Sequence, residues 1–177
     1  MRNMLRLLWV SVAVGSAGAG EPVALDAGGL RVGWDAAGGG MASMRDTASG
    51  REWLAPDVAT PLYTIRLAGE SNALASTDAV EVRVRRDGGE VVVEAVHAKP
   101  EGLAVTCRFR ADAASRQVLG RIAIRSAVPL RIDEVRFPIV TFRLPFSGTG
   151  ANDRILWPEC DGTVLMNPST NRPARSF

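Results

Sequence analysis

The chain has 177 residues, of which 46% are hydrophobic and 23% charged. That length suits one ordinary domain and excludes two large ones, and the composition excludes a disordered tail or a charged linker. The 21 basic and 19 acidic residues nearly balance, and they balance fully once Arg2 and Arg6, which fall in a removable leader, are set aside. This argues against nucleic acid as a main partner, because phosphate binding needs a basic excess or a basic stripe.

Residues 1–19 read as a secretory signal peptide. Arg2 and Arg6 supply the positive start, Leu7 to Val14 a short apolar run, and Ala17-Gly18-Ala19 the small residues a signal peptidase reads. The apolar run is shorter than the roughly 20 residues a membrane span needs. The mature chain, residues 20–177, is therefore expected to be secreted or periplasmic, with no membrane segment after the leader is removed. Outside the cytoplasm Cys107 and Cys160 have two open states, a disulfide or two buried free thiols.

The mature region alternates with period two. Leu30 to Trp34 is expected as a strand with Leu30, Val32 and Trp34 on one face. A glycine-rich turn over 36–40 leads to a return strand, Met41 to Asp46. Leu62 to Leu67 is expected to bury Tyr63, Ile65 and Leu67. Val80 to Arg85 and Val91 to Val96 form a hairpin around Asp87-Gly88-Gly89, where glycine accepts the positive φ that such turns need. Leu103 to Arg110 and Val118 to Arg125 are a second pair, with Leu103, Val105, Cys107 and Phe109 facing a core. Shorter strands are expected over Ile132 to Val140 and Thr141 to Leu144, and turns from Pro145 onward. No window outside the leader has helical amphipathicity. The spacing predicts an all-β, antiparallel fold, a β-sandwich or a barrel. Glu81, Arg83 and Arg85 are expected on a solvated sheet face.

Catalytic signatures are sparse. His97 is the only histidine, so a Ser-His-Asp arrangement has one possible base. It is expected at the surface, at a strand end. One histidine and two separated cysteines make a poor zinc set, and no phosphate-binding glycine loop opens a helix. No metal, cofactor or catalytic residue is assigned. The densest polar stretch runs from Asn152 to Gly162, with Asp153, Glu159, Asp161 and Trp157. Carboxylates exchange hydrogen bonds with sugar hydroxyls while an aromatic face stacks on the ring, so these four residues are the expected ligand-binding set. Asp153 with Glu159 or Asp161 could also reach the carboxyl separation of about 5–10 Å that glycoside hydrolysis uses. Glu52-Trp53 is a second acidic-aromatic pair, expected to be structural.

The order of several short motifs resembles galactose mutarotase-like supersandwich domains. They are Leu30-x-Val32-x-Trp34-Asp35, Gly39-Gly40-Met41-x-Ser43-Met44-x-Asp46 and Ser49-Gly50-Arg51-Glu52-Trp53-Leu54. The later Arg136-Phe137-Pro138-Ile139-Val140 and the stretch from Asp153 to Gly162 resemble the N-terminal β domain of bacterial glycoside-hydrolase-like proteins. The resemblance implies a supersandwich, here incomplete, that precedes a C-terminal catalytic barrel missing from this chain. The loop-like sequence before Phe177 fits the same expectation. The implied partner is carbohydrate and the implied role is accessory. The alternatives are a stand-alone carbohydrate-binding or adhesion module, and a small mutarotase-like enzyme that would need a second titratable group near His97.

Overall fold

The computed structural model describes residues 23–55, 60–145, 154–157 and 163–166, the last two segments as backbone only. The leader lies outside the described residues. The fold is all-β and antiparallel, as expected. Its strands are β1 (Val23–Ala27), β2 (Leu30–Trp34), β3 (Met41–Asp46), β4 (Thr64–Leu67), β5 (Leu74–Ala75), β6 (Glu81–Asp87), β7 (Glu90–Val96), β8 (Ala104–Asp112), β9 (Gln117–Arg125), β10 (Ile132–Arg136), β11 (Arg154–Trp157) and β12 (Thr163–Met166). One 3-10 turn, Ser76–Asp78, is the only helical element among the described residues. No helix there is long and apolar enough to cross a membrane.

The strands form a four-stranded sheet in the order β6-β7-β8-β9, two three-stranded sheets, β1-β2-β3 and β10-β4-β5, and the pair β11-β12. Alternation makes the inner face of the largest sheet. Val91, Val93 and Ala95 of β7 and Val105, Cys107 and Phe109 of β8 are all buried. They share one core with Leu25, Val32, Trp34, Leu62, Tyr63 and Ile65. The rings of Trp34 and Phe109 meet at 4.7 Å between centroids, tilted by 40°, a favoured aromatic geometry. The β1-β2-β3 sheet thus covers the inner face of β6–β9 as the second layer of a sandwich.

The turn before β3 locks the two layers together. Asp35 accepts hydrogen bonds from Ala37 N at 3.1 Å and Gly38 N at 2.8 Å. Gly39 follows with φ +68, and a Cβ there would lie 2.8 Å from Val93 Cγ1 and 2.9 Å from Val82 Cγ1. Glycine is required twice over, for the backbone conformation and for the close approach.

The structure changes three expectations about the chain's course. β1 and β5 escaped the sequence reading: Val23–Ala27 is short and pairs with β2 across Gly28-Gly29, and β5 has two residues. Thr141–Leu144 forms no strand. It makes one isolated bridge, Phe142 to Leu54. Arg154–Trp157 and Thr163–Met166, expected as turns, pair antiparallel with Trp157 opposite Thr163. Leu62 also departs from alternation. It is fully buried beside Tyr63, because Leu62 N donates to Ser76 Oγ at 2.7 Å while Leu62 O accepts from Ile139 N at 3.0 Å. The segment is flanked on both sides, so neither neighbour faces water.

Candidate functional site

The expected ligand set falls largely beyond what the structure describes. Asp153, Glu159 and Asp161 lie outside the described residues, and Trp157 is placed only as the last backbone position of β11. Cys160 is also outside them, whereas Cys107 is a free thiol in the core. Burial pushes the Cys107 thiol up to about 12, which makes it a poor nucleophile.

His97 is not at the surface. It is 3% exposed, and its Nε2 shares a hydrogen bond of 2.8 Å with the hydroxyl of buried Tyr63. Strand β7 ends at Val96, and the next residue turns inward: His97 N donates to Leu103 O at 3.0 Å, which closes the β7–β8 connection. Burial holds the imidazole below its ordinary value, with Asp78 acting weakly in the other direction. Burial likewise raises the Tyr63 pKa. His97 Nδ1 has no partner among the described residues. The pair belongs to the core and opens on no described cavity.

The site that the side chains do build lies at the end of β3. After Asp46 the chain makes a tight loop. Asp46 accepts from Ala48 N at 2.9 Å and from Ser49 Oγ at 2.7 Å. Gly50 N donates to Asp46 O at 2.8 Å, and Gly50 takes φ +71. The bond from Ser49 is the main reason the Asp46 carboxyl sits below its ordinary value. This gives the Asp46-x-x-Ser49-Gly50 motif a local physical content, an aspartate-organised turn closed by a left-handed glycine.

The returning strip, Arg51 to Ala55, is held on two sides. Toward β3, Arg45 and Glu52 form an isolated bridge, and Trp53 N donates to Met44 O at 2.9 Å. On the other side Arg143 N donates to Trp53 O at 2.8 Å and Ala55 N to Thr141 O at 3.1 Å. Glu52 is the anchor. Its carboxylate accepts from Ser43 Oγ at 2.5 Å, Met44 N at 2.7 Å, Leu54 N at 3.1 Å and Trp53 N at 3.2 Å. Partial burial opposes its charge, but these four donors outweigh that cost and keep its pKa below the ordinary value. Glu52 is therefore structural, as expected.

Trp53 has a second role that the sequence reading missed. With Glu52 holding its backbone, Trp53 and Phe142 line a cavity of about 490 Å³, together with Asp46, Ser49 and Arg51. Phe142 is 44% exposed. A smaller recess of about 250 Å³ adjoins it, bounded by Arg51, Glu52, Trp53, Arg143 and Pro145. Arg51 links the two walls by donating to Pro145 O at 3.2 Å. The larger volume falls in the usual range for small-molecule sites. Two aromatic rings beside a carboxylate, a hydroxyl and a guanidinium can stack on an apolar ring face and exchange hydrogen bonds around its edge. Sequence separation hid this site: Phe142 is far from Trp53 along the chain, and only the Leu54–Phe142 bridge brings them together.

No group of three or more His, Cys, Asp and Glu side chains among the described residues could hold a metal ion. No protein-family model matches the chain, and no curated protein matches it.

Proposed function

We propose that this chain is an exported, carbohydrate-associated β-sandwich domain that contacts sugar at the Trp53–Phe142 groove and serves as the non-catalytic N-terminal part of a glycoside-hydrolase-like protein. One observation carries the sugar reading: the 490 Å³ cavity pairs two aromatic side chains with Asp46, Ser49 and Arg51. The carboxylate and guanidinium are only partly engaged by their loop partners, so each has hydrogen-bonding capacity left for hydroxyl groups. The hairpin motifs resembling mutarotase-like supersandwiches support the same reading. The burial of His97 against Tyr63 favours the accessory role over a small mutarotase-like enzyme, since a general base must reach the proton it removes.

The test is a thermal-shift and tryptophan-fluorescence screen with neutral mono- and oligosaccharides. A ligand that binds only the folded state raises the melting temperature. Trp53→Ala should weaken a hit by about tenfold, in line with the ~1–1.5 kcal/mol of an aromatic contact, with Phe142→Ala acting in the same direction. If no sugar shifts the wild-type protein, or Trp53→Ala binds a hit as well as wild type, the reading is wrong.

A further inference from the structure

The outer face of the four-stranded sheet is segregated by charge. Pairing register places Arg83 opposite Glu94, Arg85 opposite Val92 and Asp87 opposite Glu90 on β6 and β7. It places Arg108 opposite Arg121 and Arg110 opposite Leu119 on β8 and β9. On the β6–β7 half Glu81, Asp87, Glu90 and Glu94 outnumber Arg83 and Arg85, and both arginines are paired within it. Arg85 pairs with Asp87 at 3.1 Å and Glu94 at 3.2 Å, and Arg83 with Glu81 at 2.7 Å.

The β8–β9 half carries the opposite surplus, Arg108, Arg110, Arg121 and Arg125 against Asp112, with Glu90 of β7 set opposite Arg110 by register. Arg108 leans back to Glu90 at 3.2 Å and Asp87 at 3.5 Å. Arg110 and Arg121 form no ion pair among the described residues, and β9 adds Arg125 on the same face without an acid of its own. Arg110 contributes only a minor charge effect to Asp112, whose carboxyl is lowered mainly by Ser115. Like charges directly opposite each other destabilise a strand pair, and neighbouring strands lie only about 4.8 Å apart. Arg108, Arg110 and Arg121 surround a groove of about 250 Å³ whose remaining walls are Glu90, Leu119 and Gly120.

We propose that this groove binds an anionic polysaccharide, with Arg110 and Arg121 contacting its carboxylate or sulfate groups. An anion seated there offsets the cross-strand repulsion and fills the open donor positions of two guanidinium groups. Glu90 accepts hydrogen bonds from hydroxyls, which a sugar polymer has in abundance. Single-stranded nucleic acid is a poorer match, because among the described residues this face carries no aromatic side chain for base stacking. The site sits on a different sheet from the Trp53 groove and does not depend on it.

The full chain is titrated with polygalacturonate, dextran sulfate, neutral dextran and a single-stranded RNA at about 50 mM salt. At least one polyanionic sugar binds, neutral dextran does not use this face, and affinity falls steeply with added salt. The preferred polymer separates carboxylate from sulfate recognition. Arg110→Ser with Arg121→Ser weakens binding at least about tenfold, whereas Arg83→Ser leaves it near wild type. All substituted positions are exposed or at a cavity wall, and unchanged circular dichroism verifies folding. The proposal is overturned if neither polyanion binds, if Arg83→Ser weakens binding as much as the paired substitution, or if RNA binds more tightly than both polysaccharides.

Discussion

The Trp53 groove and the outer face of β8–β9 use polar groups in opposite ways. Beside the groove the anchoring carboxylate, Glu52, spends its hydrogen-bonding capacity on β3 and on its own strip, and what the groove offers a ligand is aromatic surface with a polar rim. On the sheet face the guanidinium groups are set by strand register, and part of their charge is left uncompensated. The first surface joins a locally anchored strip to the distant Phe142. The second is built by the register of one hairpin, whose turn Asp112 closes by accepting from Ala114 N and Ser115 N. The contrast teaches that a carboxylate beside an aromatic can be scaffold, and that cations on a sheet face can be unsatisfied even in a chain with balanced charge.

The sharpest way to break this comparison is Glu52→Ala. Removing this carboxylate leaves three donors short, since Trp53 N keeps Met44 O, and hydrogen bonds to a charged group are worth about 1.5–3 kcal/mol each when lost in a protected place. A net loss of about 3 kcal/mol is expected by chemical denaturation, with loss of sugar binding and no change in polyanion binding by the folded fraction. The pH dependence follows from the same bonds. Because the folded state holds the Glu52 carboxyl below its ordinary value, its contribution is fully present above that value and disappears as pH falls through the depressed one.

A perturbation between the layers should affect both surfaces alike. Gly39→Ala forces a side chain into left-handed backbone and against Val93 and Val82. The expected cost is about 2 kcal/mol, read as a lower denaturation midpoint with an unchanged slope, and both ligand sites should fade together as the fold is lost.

The smallest effect concerns His97, the only histidine. Its folded-state pKa lies below the ordinary 6.5, so below that pH the unfolded chain takes up a proton that the native state refuses. Stability should fall as pH drops below 6.5, by no more than about 1.4 kcal/mol per pH unit. His97→Gln should flatten the melting-temperature profile in that window. An equally steep profile in the variant would show that the Tyr63–His97 contact is not the cause.

Much of the architecture was legible in the residues. Val80 to Val96 and Leu103 to Arg125 alternate cleanly, and their tight turns carry glycine or aspartate, so the period and the turn chemistry point to the same hairpins. The weaker signals were short strands such as Leu74–Ala75, and the segments Arg154–Trp157 and Thr163–Met166, which are too brief for periodicity to separate strand from turn. Thr141–Leu144 looked like a strand but pairs at only one bridge. His97 was misplaced because position at a strand end says little about burial. The connection to Leu103 folds back over the core and takes the ring with it.

The sequence by itself determined the sheet class, the antiparallel hairpins and the apolar face of β7 and β8, because side-chain alternation and turn conformation act over a few residues. Tertiary structure alone decided that Trp53 and Phe142 share one cavity and that His97 is internal. Those outcomes depend on register and on contacts between distant segments, where the geometry is set by packing and cross-strand pairing, and composition averages it away.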